Sequence, residues 1–276
     1  MKNLWLVLNT ASGSTTAAIV AEFETACADL TIVGRTDFPA EALPDSVALD
    51  AAGADTLVVF GGDGTINAAT CKVDDWAGVC LILPGGTMNG LAKALHGNTP
   101  WRTILARAVD APTETVPVAV CGAHRAMVGV ILGPAASWFH AREVIRAGSW
   151  SKLARAVRYA ARKTFARTIR VVGEGAHAGR HRAVILTPLR DGLEIASIST
   201  ASWFAAAKLG IEWLTGGWRG DRDVQISTAP SVTLASSRTV SALFDGEAAK
   251  LPSPVTVRAA LTHLRFIATR DVAGAA

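Results

Sequence analysis

Thr56-Leu57-Val58-Val59-Phe60-Gly61-Gly62-Asp63-Gly64-Thr65-Ile66-Asn67 is the stretch on which the fold turns. Its first five residues form a continuous apolar or β-branched run, the pattern of a strand covered on both faces in a parallel sheet. Three glycines within four positions break that strand, and Thr65 to Thr70 reads as the start of a helix. A strand that passes through glycines into a helix leaves free N–H groups and the positive end of the helix dipole at the turn, which suits a phosphate. Glycine lets the backbone approach such a group with no Cβ in the way. Thr65 and Asn67 add side-chain hydrogen-bonding groups. Asp63 would repel a phosphate unless a cation or a transferable proton is involved; the plainer alternative is a tight turn with Asp63 capping the helix.

The same construction recurs in Val79-Cys80-Leu81-Ile82-Leu83, a buried strand followed by Pro84-Gly85-Gly86-Thr87-Met88-Asn89-Gly90-Leu91 and a helix. Two such loops at the ends of two parallel strands share one edge of the sheet, where open α/β sheets bind ligands. Outward from there, Leu4 to Leu8 reads as a strand ending in the turn residues from Asn9 to Ser14, and Thr16 to Leu30 as a helix. Thr31-Ile32-Val33 reads as a second strand and Pro44 to Ala52 as a helix. Residues 1–116 are therefore expected to form an α/β domain on a parallel sheet.

After Val116 the pattern changes to short β-like runs between turns: Ala126 to Leu132, Thr168 to Val172, Ala183 to Thr187, Val224 to Ser227, Ser231 to Ala235 and Thr239 to Phe244. These predict a mainly antiparallel β-sandwich over residues 117–264, interrupted by a helical insertion over about Ser137 to Phe165. Val255 to Val257 and Leu264 to Ile267 are late strands. The segment 265–276 is expected to return to the first domain, with a loose tail after Arg270. A third motif, Leu243-Phe244-Asp245-Gly246-Glu247, places two carboxylates around a glycine. A carboxylate can accept the proton of a substrate hydroxyl or hold Mg²⁺ beside a triphosphate, although D-G-E alone is an ordinary hairpin turn.

Taken together, G-G-D-G-T-x-N, then P-x-G-T-x-N, then D-G-E near the C-terminus resembles the diacylglycerol kinase catalytic-domain family, which also holds sphingosine kinases and bacterial lipid kinases. Asn9, Ser12 and Gly13 resemble that family's N-terminal loop, with Thr10 in place of its proline. Thr36 matches the threonine after the second strand, and Leu153 to Tyr159 the L-x-x-L/A-x-Y segment. Pro188 to Ile195 resembles a D-D-G-L-L-D-V segment, with Arg190 in place of the first acid.

The resemblance implies a kinase that uses ATP and Mg²⁺ to phosphorylate a hydroxyl of a diacylglycerol-like lipid. It implies that Asn9, Thr36, Gly61, Gly62, Asp63, Gly64, Thr65, Asn67, Gly86, Thr87 and Asn89 hold the nucleotide in a cleft between two domains. Glu247, supported by Asp245, would be the general base, Asp63 would organise the metal-bound nucleotide, and Asp191 would hold a structural Mg²⁺. An NAD kinase shares the G-G-D-G loop, but the second loop and the late D-G-E favour the lipid kinase. Ala68, Gly90 and Arg190 depart from the family pattern, and motivate an alternative in which a degenerate member binds without turnover.

Composition sets the limits. Of 276 residues, 50% are apolar and 18% charged, with a net charge of +4, which excludes a disordered chain and suits an anionic partner. Cys27, Cys71, Cys80 and Cys121 show no metal-ligand or C-x-x-C spacing and read as reduced, buried hydrophobes. The apolar run Leu4 to Leu8 is too short for an export signal, and no run approaches the roughly 18 residues of a membrane span, so a cytoplasmic protein is expected.

Between Arg142 and Arg170 lie nine basic residues and a single acid, Glu143, with Trp138, Phe139 and Trp150 at the start of the stretch. This segment predicts contact with the surface of an anionic membrane; a solvated helix face is the plainer reading. Trp203, Phe204, Trp213 and Trp218 are candidates for an acyl-chain pocket or a core. The lipid substrate is the expected partner. No nucleic-acid motif occurs, and a homodimer stays open.

Overall fold

The computed structural model describes residues 1–11, 16–27, 30–86, 88–134, 168–172, 178–198, 224–237 and 239–270. The chain falls into two compact units, residues 1–116 with 261–276, and residues 117–260. Ser12, Gly13, Thr87, the helical insertion, the basic residues from Arg142 to Arg167 and the tryptophans from Trp203 to Trp218 lie outside the described residues.

The first unit contains β1 (Asn3–Asn9), α1 (Ala17–Ala26), β2 (Thr31–Phe38), α2 (Ser46–Ala51), β3 (Thr56–Gly61), α3 (Asp63–Lys72), β4 (Val79–Pro84), α4 (Gly90–His96), α5 (Trp101–Ala108) and β5 (Thr113–Glu114). Its sheet runs β2-β1-β3-β4-β18-β5, where β18 (Arg265–Ile267) comes from the far end of the sequence. All neighbours pair in parallel except β18 with β5.

Every residue of β3 is buried, which explains its unbroken apolar run. Val58 and Phe60 pack with Phe23 of α1 and Trp101 of α5, while Leu57 and Val59 point to the other face and are equally buried. The rings of Phe23, Phe60 and Trp101 meet at centroid distances of 5.7 to 6.2 Å. Because β1 leads to β2 and β3 to β4 in opposite directions across the sheet, right-handed crossovers put α1 and α3 on opposite faces.

β2 is longer than expected, running to Phe38 instead of ending at Val33. A glycine and two charged residues disguise it in the sequence, yet Gly34 to Asp37 keep register with Trp5 to Leu8. The ring of Trp5 lies 2.3 Å from where a Cβ on Gly34 would stand, so the glycine belongs to the strand by packing.

The second unit holds two antiparallel sheets. One is built from β6 (Pro117–Cys121), β7 (His124–Ala126), β9 (Ile169–Val172), β10 (Gly179–His181), β14 (Ser231–Ala235) and β17 (Val255–Leu261), in the order β10-β9-β14-β17-β6-β7. The other is built from β8 (Val130–Leu132), β11 (Ala183–Leu189), β12 (Gly192–Ile198), β13 (Val224–Ala229), β15 (Val240–Phe244) and β16 (Glu247–Leu251), in the order β13-β12-β11-β8-β15-β16. One core takes the inward residues of both, among them Ile169, Leu234 and Val257 from the first and Val130, Leu186 and Phe244 from the second. That shared core makes the unit a sandwich, as expected.

The cysteines need one correction. All four are free, and Cys27, Cys80 and Cys121 are buried, but Cys71 is exposed. It lies in the last turn of α3, where its S–H meets the Asn67 Oδ1 at 3.3 Å. Burial pushes the Cys27 thiol up to about 11 and raises those of Cys80 and Cys121 as well. Among the described residues, no helix is long and apolar enough to cross a membrane.

Candidate functional site

In the order β2-β1-β3-β4, the chain leaves β1 toward one side of the sheet and β3 toward the other. A crevice therefore opens at the C-terminal ends of β1 and β3, the topological switch point of an open α/β sheet. Asn9 ends β1 and Gly61 ends β3. The Asn9 Nδ2 donates to the Thr65 Oγ1 at 2.7 Å, and its Oδ1 accepts from the Ala11 N–H at 3.1 Å. One asparagine thus ties the first turn to the start of α3.

The two glycine loops meet beside this bridge. The Gly85 N–H donates to the Gly61 carbonyl at 3.0 Å. A Cβ on Gly85 would lie 2.8 Å from the Gly61 nitrogen, and one on Gly86 would lie 2.6 Å from the Gly62 Cα. Sequence reading set these glycines against a phosphate; the structure shows that they first let the two loops touch each other. Asn89 shapes the second loop, adopting a left-handed φ of 51° while its side chain accepts from the Gly86 N–H at 2.7 Å and donates to the Gly86 carbonyl at 2.9 Å.

Gly62 is the N-cap of the ten-residue helix α3, and no side chain caps its first turn. The helix's N-terminal N–H groups are left for an anion at the switch point, so the loops fit a phosphate chain. Asp63 does not cap α3. It is the first residue of that helix, and its Oδ1 accepts from the Leu91 N–H, at the start of α4, at 3.3 Å.

Asn67 is 6% exposed and engages Cys71 one turn on, while Thr36 is 3% exposed and accepts from the Trp5 Nε1 at 3.1 Å. The structure therefore gathers Asn9, Gly61, Gly62, Asp63, Thr65, Gly86 and Asn89, and leaves Thr36 one strand away on β2. Gly64 follows Asp63 in the first turn of α3.

At the other end of α4, His96 is buried and its Nδ1 lies 2.9 Å from the Thr269 Oγ1. The Thr269 N–H reaches the same nitrogen at 3.3 Å, which makes Nδ1 an acceptor. Burial, helped by the charge of Arg270, pushes the His96 imidazole down to about 4. The Arg270 guanidinium donates to the Ala94 carbonyl and pairs with Glu114 at 2.6 Å. Nothing in the local sequence marks this clamp, because its partners are 173 positions apart.

In the second unit, β15 and β16 are joined by the two-residue turn Asp245-Gly246, with φ values of 47° and 95°. Two positive φ angles are the signature of a tight hairpin turn that favours Asp-Gly. The Asp245 carboxylate accepts from the backbone N–H groups of Met127, Val128 and Gly129 at 2.8, 2.9 and 2.8 Å. Asp245 is thus largely occupied in holding the connection from β7 to β8. Glu247 pairs with Phe244 across the hairpin and is exposed. On β7, the His124 ring stacks on Phe244 with centroids 5.1 Å apart.

Asp191 sits exposed in the turn between β11 and β12, and among the described residues no three His, Cys, Asp or Glu side chains gather as metal ligands. Among the described residues, no cluster of such ligands joins Asp191 around a structural Mg²⁺.

An α/β unit with paired glycine loops at its switch point, joined to an antiparallel sandwich, defines the class. Residues 3–121 match the model of the diacylglycerol kinase catalytic domain. The whole fold is similar to the crystal structure of a diacylglycerol kinase from Bacillus anthracis str. Sterne, at 16% identity and a TM-score of 0.64, covering 99% of this chain and 98% of that one. A candidate diacylglycerol kinase from the same organism matches at 18% identity and a TM-score of 0.64, covering 99% and 96% of the two chains. No curated protein matches the chain by sequence.

Proposed function

We propose that this chain is an ATP-dependent kinase that phosphorylates a hydroxyl group of a lipid. The observation that carries the reading is the meeting of two glycine loops at the switch point, next to the uncapped first turn of α3. The N–H groups of that turn and the backbone of Gly61 to Gly64 bind the anionic phosphate chain, and Asn9 fixes the angle between the first turn and α3. A bound nucleotide would supply the phosphoryl group, and Mg²⁺ would offset the charge on its phosphates, with Asp63 as the carboxylate placed to hold the cation. Asp63, the first residue of α3, accepts one long hydrogen bond among the described residues and keeps acceptor capacity for that cation. Glu247, exposed and without a partner among the described residues, takes the proton of the acceptor hydroxyl. Asp245 steadies the turn from which Glu247 projects.

The test is ATP consumption by the purified protein with Mg²⁺ across diacylglycerol, sphingosine, a total lipid extract and NAD. Lipid-stimulated turnover is the expected result. Turnover with NAD alone would move the protein to the NAD kinases, and nucleotide binding without turnover on any acceptor would favour a degenerate member.

A further inference from the structure

The first sheet of the sandwich has two faces of different character. Inward residues alternate with outward ones along each strand. Ile169 and Val171, Val232 and Leu234, and Val255 and Val257 fill the core. The outward set includes Arg170 and Val172 on β9, Arg180 on β10, Thr233 on β14, and Thr256 and Arg258 on β17, and Arg125 on β7 faces the same way. The six strands of this sheet contain no Asp or Glu. The acid nearest in sequence, Glu174, lies outside the described residues.

Arg170, Arg180 and Arg258 are all exposed, and none has an ion-pair partner among the described residues. Arg170 and Arg180 are direct cross-strand partners, and like charges placed opposite each other oppose sheet pairing. The remaining outward side chains are short, and the Thr233 and Thr256 hydroxyls bond to each other at 2.9 Å. The long guanidinium groups therefore stand above a flat, low surface roughly 15 Å across, from strand spacing and rise.

We infer that this face docks on an anionic phospholipid surface. A flat array of arginines, of which Arg170, Arg180 and Arg258 have no ion-pair partner among the described residues and two stand side by side, gains most from a planar field of phosphates. These strands carry no Phe, Tyr or Trp on which the bases of a single strand could stack, which disfavours nucleic acid. The choice of lipid over other polyanions rests on the lipid-kinase reading, whose acceptor resides in a bilayer. Arg170 is the one member of the basic segment that is described, and Arg180 and Arg258 extend the expected membrane contact to residues outside that segment.

The experiment is co-sedimentation of the full chain with phosphatidylglycerol–phosphatidylcholine vesicles and with pure phosphatidylcholine vesicles at two salt concentrations. Binding only to the anionic vesicles, weakened by salt, is expected. Each arginine is worth about fivefold in partition and the three together about a hundredfold. The triple variant Arg170→Gln/Arg180→Gln/Arg258→Gln should therefore lose about that much, and the corresponding triple Lys variant should keep most of it. Sedimentation of the folded Gln variant like wild type would overturn the inference. So would equal binding to neutral vesicles, or tighter binding to a DNA duplex than to anionic vesicles at the same salt. Turnover on a short-chain lipid in detergent micelles separates the two claims. Its absence in wild type sinks the kinase reading, while vesicle partition still decides the surface.

Discussion

Asp63 and Asp245 bear the same carboxylate and both follow a buried strand into a glycine turn, yet the two turns use it differently. Among the described residues, Asp245 accepts backbone N–H bonds of 2.8 to 2.9 Å from Met127, Val128 and Gly129, whereas Asp63 accepts one of 3.3 Å. A carboxylate offers about four acceptor positions, so three short bonds leave little for chemistry and a single long one leaves most of it. Residue type therefore assigned both to a reaction, and hydrogen-bond count separates them: Asp245 positions a loop and Asp63 stays available. Glu247, two residues beyond Asp245, is the carboxylate that the second turn presents to solvent.

That contrast can be broken experimentally. The largest effect is expected from Glu247→Gln, which should fold normally and lose about a thousandfold in turnover if it removes a general base. Turnover close to wild type would take Glu247 out of that role. Asp245→Ala should act on stability, because it strands three backbone donors. A loss of about 4 kcal/mol is expected in urea unfolding, with faster amide exchange at residues 127–129. Unchanged exchange there would show that the clamp does not hold the loop.

His96 sharpens the comparison from the far end of the helix that Asp63 supports. Its folded value of about 4 lies below the ordinary histidine value, so below pH 6.5 the unfolded chain binds a proton that the folded one does not. The stability it contributes is full above pH 6.5 and falls by about 3 kcal/mol as pH drops to 4. His96→Gln should start less stable at pH 7 and lose less on acidification, as measured by denaturant midpoints at the two pH values. The smallest stability effect is expected for Asp63→Asn, under about 1 kcal/mol, because one long hydrogen bond is at stake. Its turnover with Mg²⁺ should nevertheless fall steeply. A large loss of stability with normal turnover would reverse the roles assigned to the two aspartates.

The glycine loops were legible because their signal is local: a buried strand, a break and a helix within a dozen residues. The strand pattern of the sandwich was legible where apolar alternation is clean, as in Ser231 to Ala235. β12 was not read as a strand, because Gly192-Leu193-Glu194 begins it with a glycine and an acid. The tail of β2 was missed because the packing of Trp5 on Gly34 decides it. The role of Asp245 could not be read, since its partners lie 116 to 118 positions away and are backbone N–H groups that any residue supplies. The exposure of Cys71 depended on which side of α3 the sheet covers, which helix spacing alone leaves open.

One feature of the first sheet bears on how the protein comes into being. β18 pairs with β4 on one side and β5 on the other, and its Phe266 is fully buried. The unit that carries the glycine loops is therefore discontinuous, with the whole sandwich spliced between its fifth and last strands. On the ribosome the loops emerge early, but their sheet has a gap until roughly 150 residues more have been translated, a delay of several seconds or longer at ordinary rates of synthesis. During that interval β4 presents an unpaired edge, a surface open to wrong partners. The sandwich, whose strands are all made before the gap closes, can fold first, so the order of synthesis makes the glycine-loop unit the later of the two to be finished.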